Sequence, residues 1–206
     1  MDGYVQYNRW MEVNRRIAVR VRELRGEQGL SLDALAERSG VSRSNLSLIE
    51  RGQSSPTATV LDKLAAGLGV TLASLFEDGA GPAAPVSPLV RAAEQPVWTD
   101  PASRYVRRNL SPARRSPLQL VSVIFPAGRR VAYDSPPRPA EIHQQVWLIE
   151  GVMEITVGGQ RWRLAAGDCL AMSLDQPIVY RNPTRKRARY LVALVTLPFP
   201  TPRRSP

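Results

Sequence analysis

The chain has 206 residues, 43% apolar and 22% charged, enough to bury real cores as one or two domains. It holds no apolar run of about 18 residues and no apolar N-terminal stretch of the kind that directs secretion, so no membrane span is expected and the cytoplasm is the expected compartment. A single cysteine, Cys169, excludes an internal disulfide, and a net charge of +10 calls for an anionic partner.

That charge is uneven. Residues 1–78 carry 10 Lys/Arg against 10 Asp/Glu, so the whole excess lies in residues 79–206. Residues 1–12 form an N-terminal extension with Tyr4, Tyr7 and Trp10, a loose arm or a segment that packs on a partner. From Val13 to Arg25 the apolar spacing Val13, Ile17, Val21, Leu24 predicts a helix. Its arginines, Arg15, Arg16, Arg20, Arg22 and Arg25, read mainly as a solvated face, with some in reach of phosphates. A second helix follows Ser31, whose hydroxyl suits an N-cap, and buries Leu32, Leu35 and Ala36. Gly40 permits a tight turn.

The next stretch, Val41 to Gly52, reads as a DNA recognition helix. Ser42 occupies the N-cap position, and Leu46 and Ile49 fall on one face, where they can bury together. Arg43, Ser44, Asn45, Ser47 and Leu48 point elsewhere, and most of them can hydrogen-bond. Arg38, Arg43 and Arg51 add local positive charge. Two more helices are predicted, one capped by Thr57 and carrying Val60, Leu61, Leu64, Ala65 and Leu68, the other capped by Thr71 and carrying Leu72, Leu75 and Phe76.

Two short helices joined at a glycine and sharing an apolar seam make a helix-turn-helix. The run Ala36-x3-Gly40-Val41-Ser42-x3-Leu46-x2-Ile49-Glu50-x-Gly52-x3-Pro56 resembles the phage-repressor-like (XRE-type) family over roughly residues 13–77. The resemblance implies a five-helix, lambda-repressor-like domain that places Arg43, Ser44 and Ser47 or Leu48 in the major groove of double-stranded operator DNA. Ser42, Asn45, Arg51 and Arg38 complete the expected DNA-facing set. Arg43 is the best candidate for reading a base, since a guanidinium can donate two bonds to guanine.

Residues 78–96 lack periodicity and are rich in proline, which predicts a semi-rigid linker. Beyond Val97 the period becomes two. Strands are predicted around 104–108, 118–125, 145–149, 153–157, 161–164, 169–172, 178–181 and 189–195, separated by turns such as Glu150-Gly151 and Gly158-Gly159. Short strands at this spacing indicate an all-β barrel or double-sheet roll over 97–197. A proline-rich tail, 198–206, is expected to be loose.

Trp147-Leu148-Ile149-Glu150-Gly151-x-Met153-Glu154-Ile155, then Leu164-Ala165-Ala166-Gly167-Asp168, then Pro177-x4-Asn182 resemble the cupin family, a double-stranded β-helix of jelly-roll type. Cupin enzymes hold a metal with histidines and a glutamate. At the matching positions this chain has Arg138 to Ala140, Gln144 and Ile178, so no metal and no cofactor is expected. The sole histidine, His143, neighbours Gln144 and should face the other side of its strand. Gln144, Val146, Leu148, Ile178 and Tyr180 share inward parity, with Met172 beside them, and either line a pocket for a small organic ligand or fill the barrel. The excess of arginine points to an anionic effector. Cys169 reads as a buried structural cysteine rather than a thiol sensor.

Together the two resemblances imply a bacterial transcriptional regulator, not an enzyme. It would bind a pseudo-palindromic operator as a homodimer paired through the cupin domain, which would sense a small-molecule effector. The competing readings are a cupin metalloenzyme fused to a DNA-binding domain, against which the absent histidine set argues, and an antitoxin-like protein-interaction regulator.

Overall fold

The computed structural model describes residues 2–77, 87–113, 116–134 and 140–198. One long helix, α1 (Asp2–Glu27), opens the chain and is followed by α2 (Leu32–Ser39), α3 (Arg43–Glu50) and α4 (Ala58–Gly67). The backbone of residues 2–12 is thus the first part of α1 rather than a separate arm. The fifth predicted helix is a single 3₁₀ turn, Ala73–Phe76, so the helical head has four α-helices. The hydroxyl of Thr71 still caps that turn, accepting from the Ser74 N–H at 3.1 Å. Four residues are too few for α-helical bonding to build up, and the turn instead closes through Leu75 and Phe76, both buried.

Apolar spacing made the head. Ile17, Val21 and Leu24 of α1 meet Leu35, Leu46, Ile49, Leu61 and Leu64, all 5% exposed or less. At roughly 25 cal/mol per Å² of apolar surface removed from water, each such leucine or isoleucine stabilises the fold by about 1.5–3 kcal/mol. Gly67 lets α4 approach α2: a Cβ there would lie 3.0 Å from Ser39 Cβ and 3.2 Å from its backbone.

Ten strands follow: β1 (Val97–Thr99), β2 (Val106–Asn109), β3 (Leu118–Phe125), β4 (Arg130–Tyr133), β5 (Ala140–Glu150), β6 (Val152–Val157), β7 (Gln160–Ala165), β8 (Cys169–Ser173), β9 (Ile178–Arg181) and β10 (Ala188–Pro198). They form two antiparallel sheets, a six-stranded one in the order β1-β2-β3-β10-β5-β8 and a four-stranded one in the order β4-β9-β6-β7. This is the double-sheet roll expected from the period-two pattern. Along β5, residues 141–148 alternate strictly between exposed and buried, so one face is core and the other is solvent-facing.

The head packs directly on the roll. Asp100 accepts a hydrogen bond from the Ala58 N–H at 3.0 Å. Thr59 donates to the Ala132 carbonyl at 3.1 Å, and Asn109 donates to the Ala73 carbonyl at 3.0 Å. Gln119 of β3 accepts from Thr71 at 2.5 Å and donates to Ser74 at 3.1 Å and Glu77 at 2.6 Å. The ring of Phe76 meets Trp98 at 5.6 Å, and the aromatic chain continues through Tyr105, Phe125, Tyr190 and Tyr180. A shared apolar and hydrogen-bonded seam, built from residues far apart in sequence, thus joins the head to the roll.

Candidate nucleic-acid interface and barrel cavity

α3 begins at Ser42, whose hydroxyl accepts from the Asn45 N–H at 3.4 Å. The turn before it depends on Gly40, at φ 65°, whose N–H reaches the Ala36 carbonyl at 2.9 Å. Leu46 and Ile49 pin α3 to the core and are at most 1% exposed. Ser42, Arg43, Ser44, Leu48, Arg51 and Arg38 are all exposed, and Asn45 and Ser47 are half-buried. None of these eight residues is fully buried. Arg43 extends from it and pairs with Asp33 of α2 at 3.0 Å, both side chains well exposed.

The arginines of α1 behave differently. Arg25 clamps Glu50 with Nε at 2.6 Å and Nη2 at 2.9 Å, and its Nη1 reaches the Leu30 carbonyl. Arg22 donates to the Glu50 carbonyl, and Arg20 lies 3.5 Å from Glu23 and 3.8 Å from Glu27. Glu50, 5% exposed, is a structural carboxylate at the end of α3 that sequence reasoning left unassigned. Its bond to Arg25 holds the guanidinium pKa above its ordinary value.

Within the roll lies a cavity of about 60 Å³. Of the six residues expected to line it, Gln144, Ile178 and Tyr180 do. Val146 and Leu148 do not: both are fully enclosed and fill the roll. Met172 stands just behind, its sulfur accepting from Gln144 Nε2 at 3.8 Å. The wall also contains residues that sequence reasoning did not place in a pocket: Tyr105, Arg107, Tyr133 and Tyr190 from the roll, and Asp62 and Leu72 from the head. Arg107 shares strand parity with Tyr105, the one sequence signal that could have placed it inside.

Burial raises the phenols of Tyr105, Tyr133, Tyr180 and Tyr190 above the ordinary value, Tyr133 and Tyr190 strongly. They stay protonated and can donate as well as accept. Tyr105 and Tyr133 share a hydrogen bond at 3.1 Å, and Gln144 donates to the Tyr180 hydroxyl.

The donor set does not fit a cupin metal. Gln144 at the glutamate position turns its amide nitrogen to Tyr180 and Met172, and Ile178 at the last histidine position is apolar. His143 faces away from the roll, 2.8 Å from Glu141. Residues 138 and 139 lie outside the described residues, and only the backbone of Ala140 is described. Among the described residues, no three His, Cys, Asp or Glu side chains come together. Cys169 is exposed, not buried as expected, because it pairs in register with Trp147 on the outer sheet face. Among the described residues no helix is long and apolar enough to cross a membrane.

Residues 21–75 match the helix-turn-helix family HTH_3. Over 81% of its length the chain is 28% identical to the HTH-type transcriptional regulator SutR of Escherichia coli (strain K12), covering 86% of that protein. It is 26% identical to the HTH-type transcriptional regulator PuuR of the same organism, over 84% of this chain and 91% of that one. The crystal structure of an HTH_3 family transcriptional regulator from Vibrio cholerae superposes with a TM-score of 0.73 at 26% identity, covering 93% of this chain and 99% of that chain. The N-terminal head is thus a helix-turn-helix domain of the XRE-type HTH_3 family, in a chain homologous to bacterial HTH-type transcriptional regulators.

Proposed function

We propose that this protein is a sequence-specific DNA-binding regulator that pairs as a homodimer and responds to a small effector held in the cavity. The observation that carries it is α3 itself, pinned by Leu46 and Ile49 with its polar side exposed. Seated in a major groove, α3 would present Arg43, Ser44, Asn45, Ser47 and Leu48 to base edges, with Ser42, Arg38 and Arg51 near phosphates. Arg43 would exchange its solvent-exposed pairing with Asp33 for the DNA, at little cost.

One α3 reads only a few base pairs, so two-fold pairing is needed. The outer face of the six-stranded sheet supplies a surface for a second copy. Leu118, Ile124, Trp147 and Leu197 are each at least 37% exposed there. The cavity supports the effector role because its wall is shared: an occupant touches Asp62 and Leu72 of the head as well as the roll. A ligand that prefers one placement of the head changes DNA affinity by that preference.

The test is binding of the purified protein to the DNA upstream of its own gene, with competitor DNA and a salt titration. Saturable binding that survives competitor is expected. Weak binding that collapses steeply with salt would reduce the interaction to the +10 charge and overturn the proposal.

A further inference from the structure

Arg107 is 7% exposed, and its Nε and Nη2 have no hydrogen-bond partner among the described residues. Its guanidinium stands over the ring of Phe76, 5.7 Å from the centroid, which meets the face of the group but not its edge. Nε and Nη2 form that edge, a fork that matches the two oxygens of a carboxylate. The molecule shows the match elsewhere: Arg25 uses these same two atoms to hold Glu50 at 2.6 and 2.9 Å. Arg107 lines the cavity, and no protein carboxylate is hydrogen-bonded to that edge.

We infer that the cavity binds a short-chain monocarboxylate, with the carboxylate paired with the guanidinium of Arg107 and the alkyl tail among Val123, Ile178 and Leu194. This rests on the effector-cavity reading above and names its ligand class. A volume of about 60 Å³ equals about four to six water-sized spheres, room for a few heavy atoms and no more. The rest of the lining is largely apolar or aromatic, which suits a tail. Asp62 puts an acid in the same wall, so a single negative charge is favoured over a dianion such as phosphate.

Calorimetric titration of the full-length protein with sodium acetate, propionate and butyrate tests this, with sodium chloride, phosphate, propionamide and propylamine as controls. Saturable binding of propionate or butyrate, absent for chloride and propionamide, is expected. Arg107→Met should abolish it and Arg107→Lys, which keeps the charge but loses the fork, should weaken it about 10- to 100-fold. Circular dichroism establishes that each variant is folded. Should either fail to fold, the carboxylate-against-amide comparison on the unmodified protein still decides. Equal binding of propionate by Arg107→Met, or no binding of any carboxylate, overturns the inference. Binding of propionamide or propylamine instead would keep an effector cavity and reject the carboxylate. The operator-binding assay, run without any of these probes, judges the regulator reading separately.

Discussion

The carboxylate of Asp100, in the loop after β1, accepts the backbone N–H of Ala58 at the first turn of α4, 3.0 Å away. A residue of the roll thus caps a helix of the head. Helix N-termini leave unsatisfied N–H groups and a positive dipole end, and a carboxylate meets both. Asp100 is 1% exposed and also accepts from the Ser103 N–H at 2.8 Å and the Ser103 hydroxyl at 2.6 Å. Asp100→Ala would leave these three donors without their partner. It should lower stability by about 2 kcal/mol and uncouple head from roll. In a thermal unfolding scan the single transition of the parent should split in two. An unsplit transition at the parent temperature would show that the seam does not depend on this cap.

Arg43→Ala separates base reading from charge. Arg43 is 66% exposed at its side chain and contacts only Asp33 on the surface, so the fold should not notice its loss. Operator affinity should fall by about 1–3 kcal/mol, with relaxed preference at one base pair. Competition between operator and random DNA checks this. Equal losses on both would make Arg43 a phosphate contact.

Much of this architecture was legible from short-range pattern. Spacing of Ile17, Val21 and Leu24, caps at Ser31, Ser42 and Thr57, and alternation along β3, β5 and β10 each depend on neighbours a few residues apart. β4, Arg130–Tyr133, went unread because Arg130 and Ala132 are weak strand formers, whereas β9, of the same length, carries Ile178, Val179 and Tyr180. The seam and the cavity were not readable for a different reason. Phe76, Asp62 and Leu72 meet Trp98, Arg107 and Tyr105 only after the head has docked, and no local pattern encodes that docking. Helix-face arginines also look alike in sequence. Only the fold separates Arg25, clamped on Glu50, from exposed Arg38 and Arg51.

Trp147, 47% exposed on the outer sheet face, is the probe of pairing. A charge placed there cannot be buried against a second copy without a large desolvation penalty. Trp147→Arg should therefore convert a dimer to a monomer while leaving the melting of each subunit's roll nearly unchanged. Sedimentation equilibrium reads the mass. A variant that stays dimeric would move the pairing surface elsewhere.

Gly67→Ala tests how tightly α4 sits on α2. Its Cβ would fall 3.0 to 3.2 Å from Ser39 side-chain and backbone atoms, and Ser39 cannot yield freely because its hydroxyl is bonded to the Leu35 carbonyl at 2.7 Å. Alanine is otherwise the better helix former by about 1 kcal/mol, so a neutral site would gain stability. Overpacking should win here, with a net loss of about 1–3 kcal/mol by chemical denaturation. A stabilised variant would show that the two helices separate easily.

Alkaline pH should act on the roll through its buried phenols. Tyr105, Tyr133, Tyr180 and Tyr190 all have raised folded values, with desolvation by burial the largest cause. In the unfolded chain they ionise near about 10. Below that pH both states are protonated and the phenols' contribution is fully present. Above it the unfolded chain releases protons that the folded one retains, so stability falls as pH rises, at up to about 1.4 kcal/mol per pH unit for each phenol. Urea denaturation at pH 8 and pH 11, followed by tyrosinate absorbance, should show a lower midpoint at pH 11 and ionisation of these phenols only on unfolding. Tyr180→Phe should flatten the pH dependence. Equal midpoints at both pH values would mean that the four hydroxyls are not held in a dry interior.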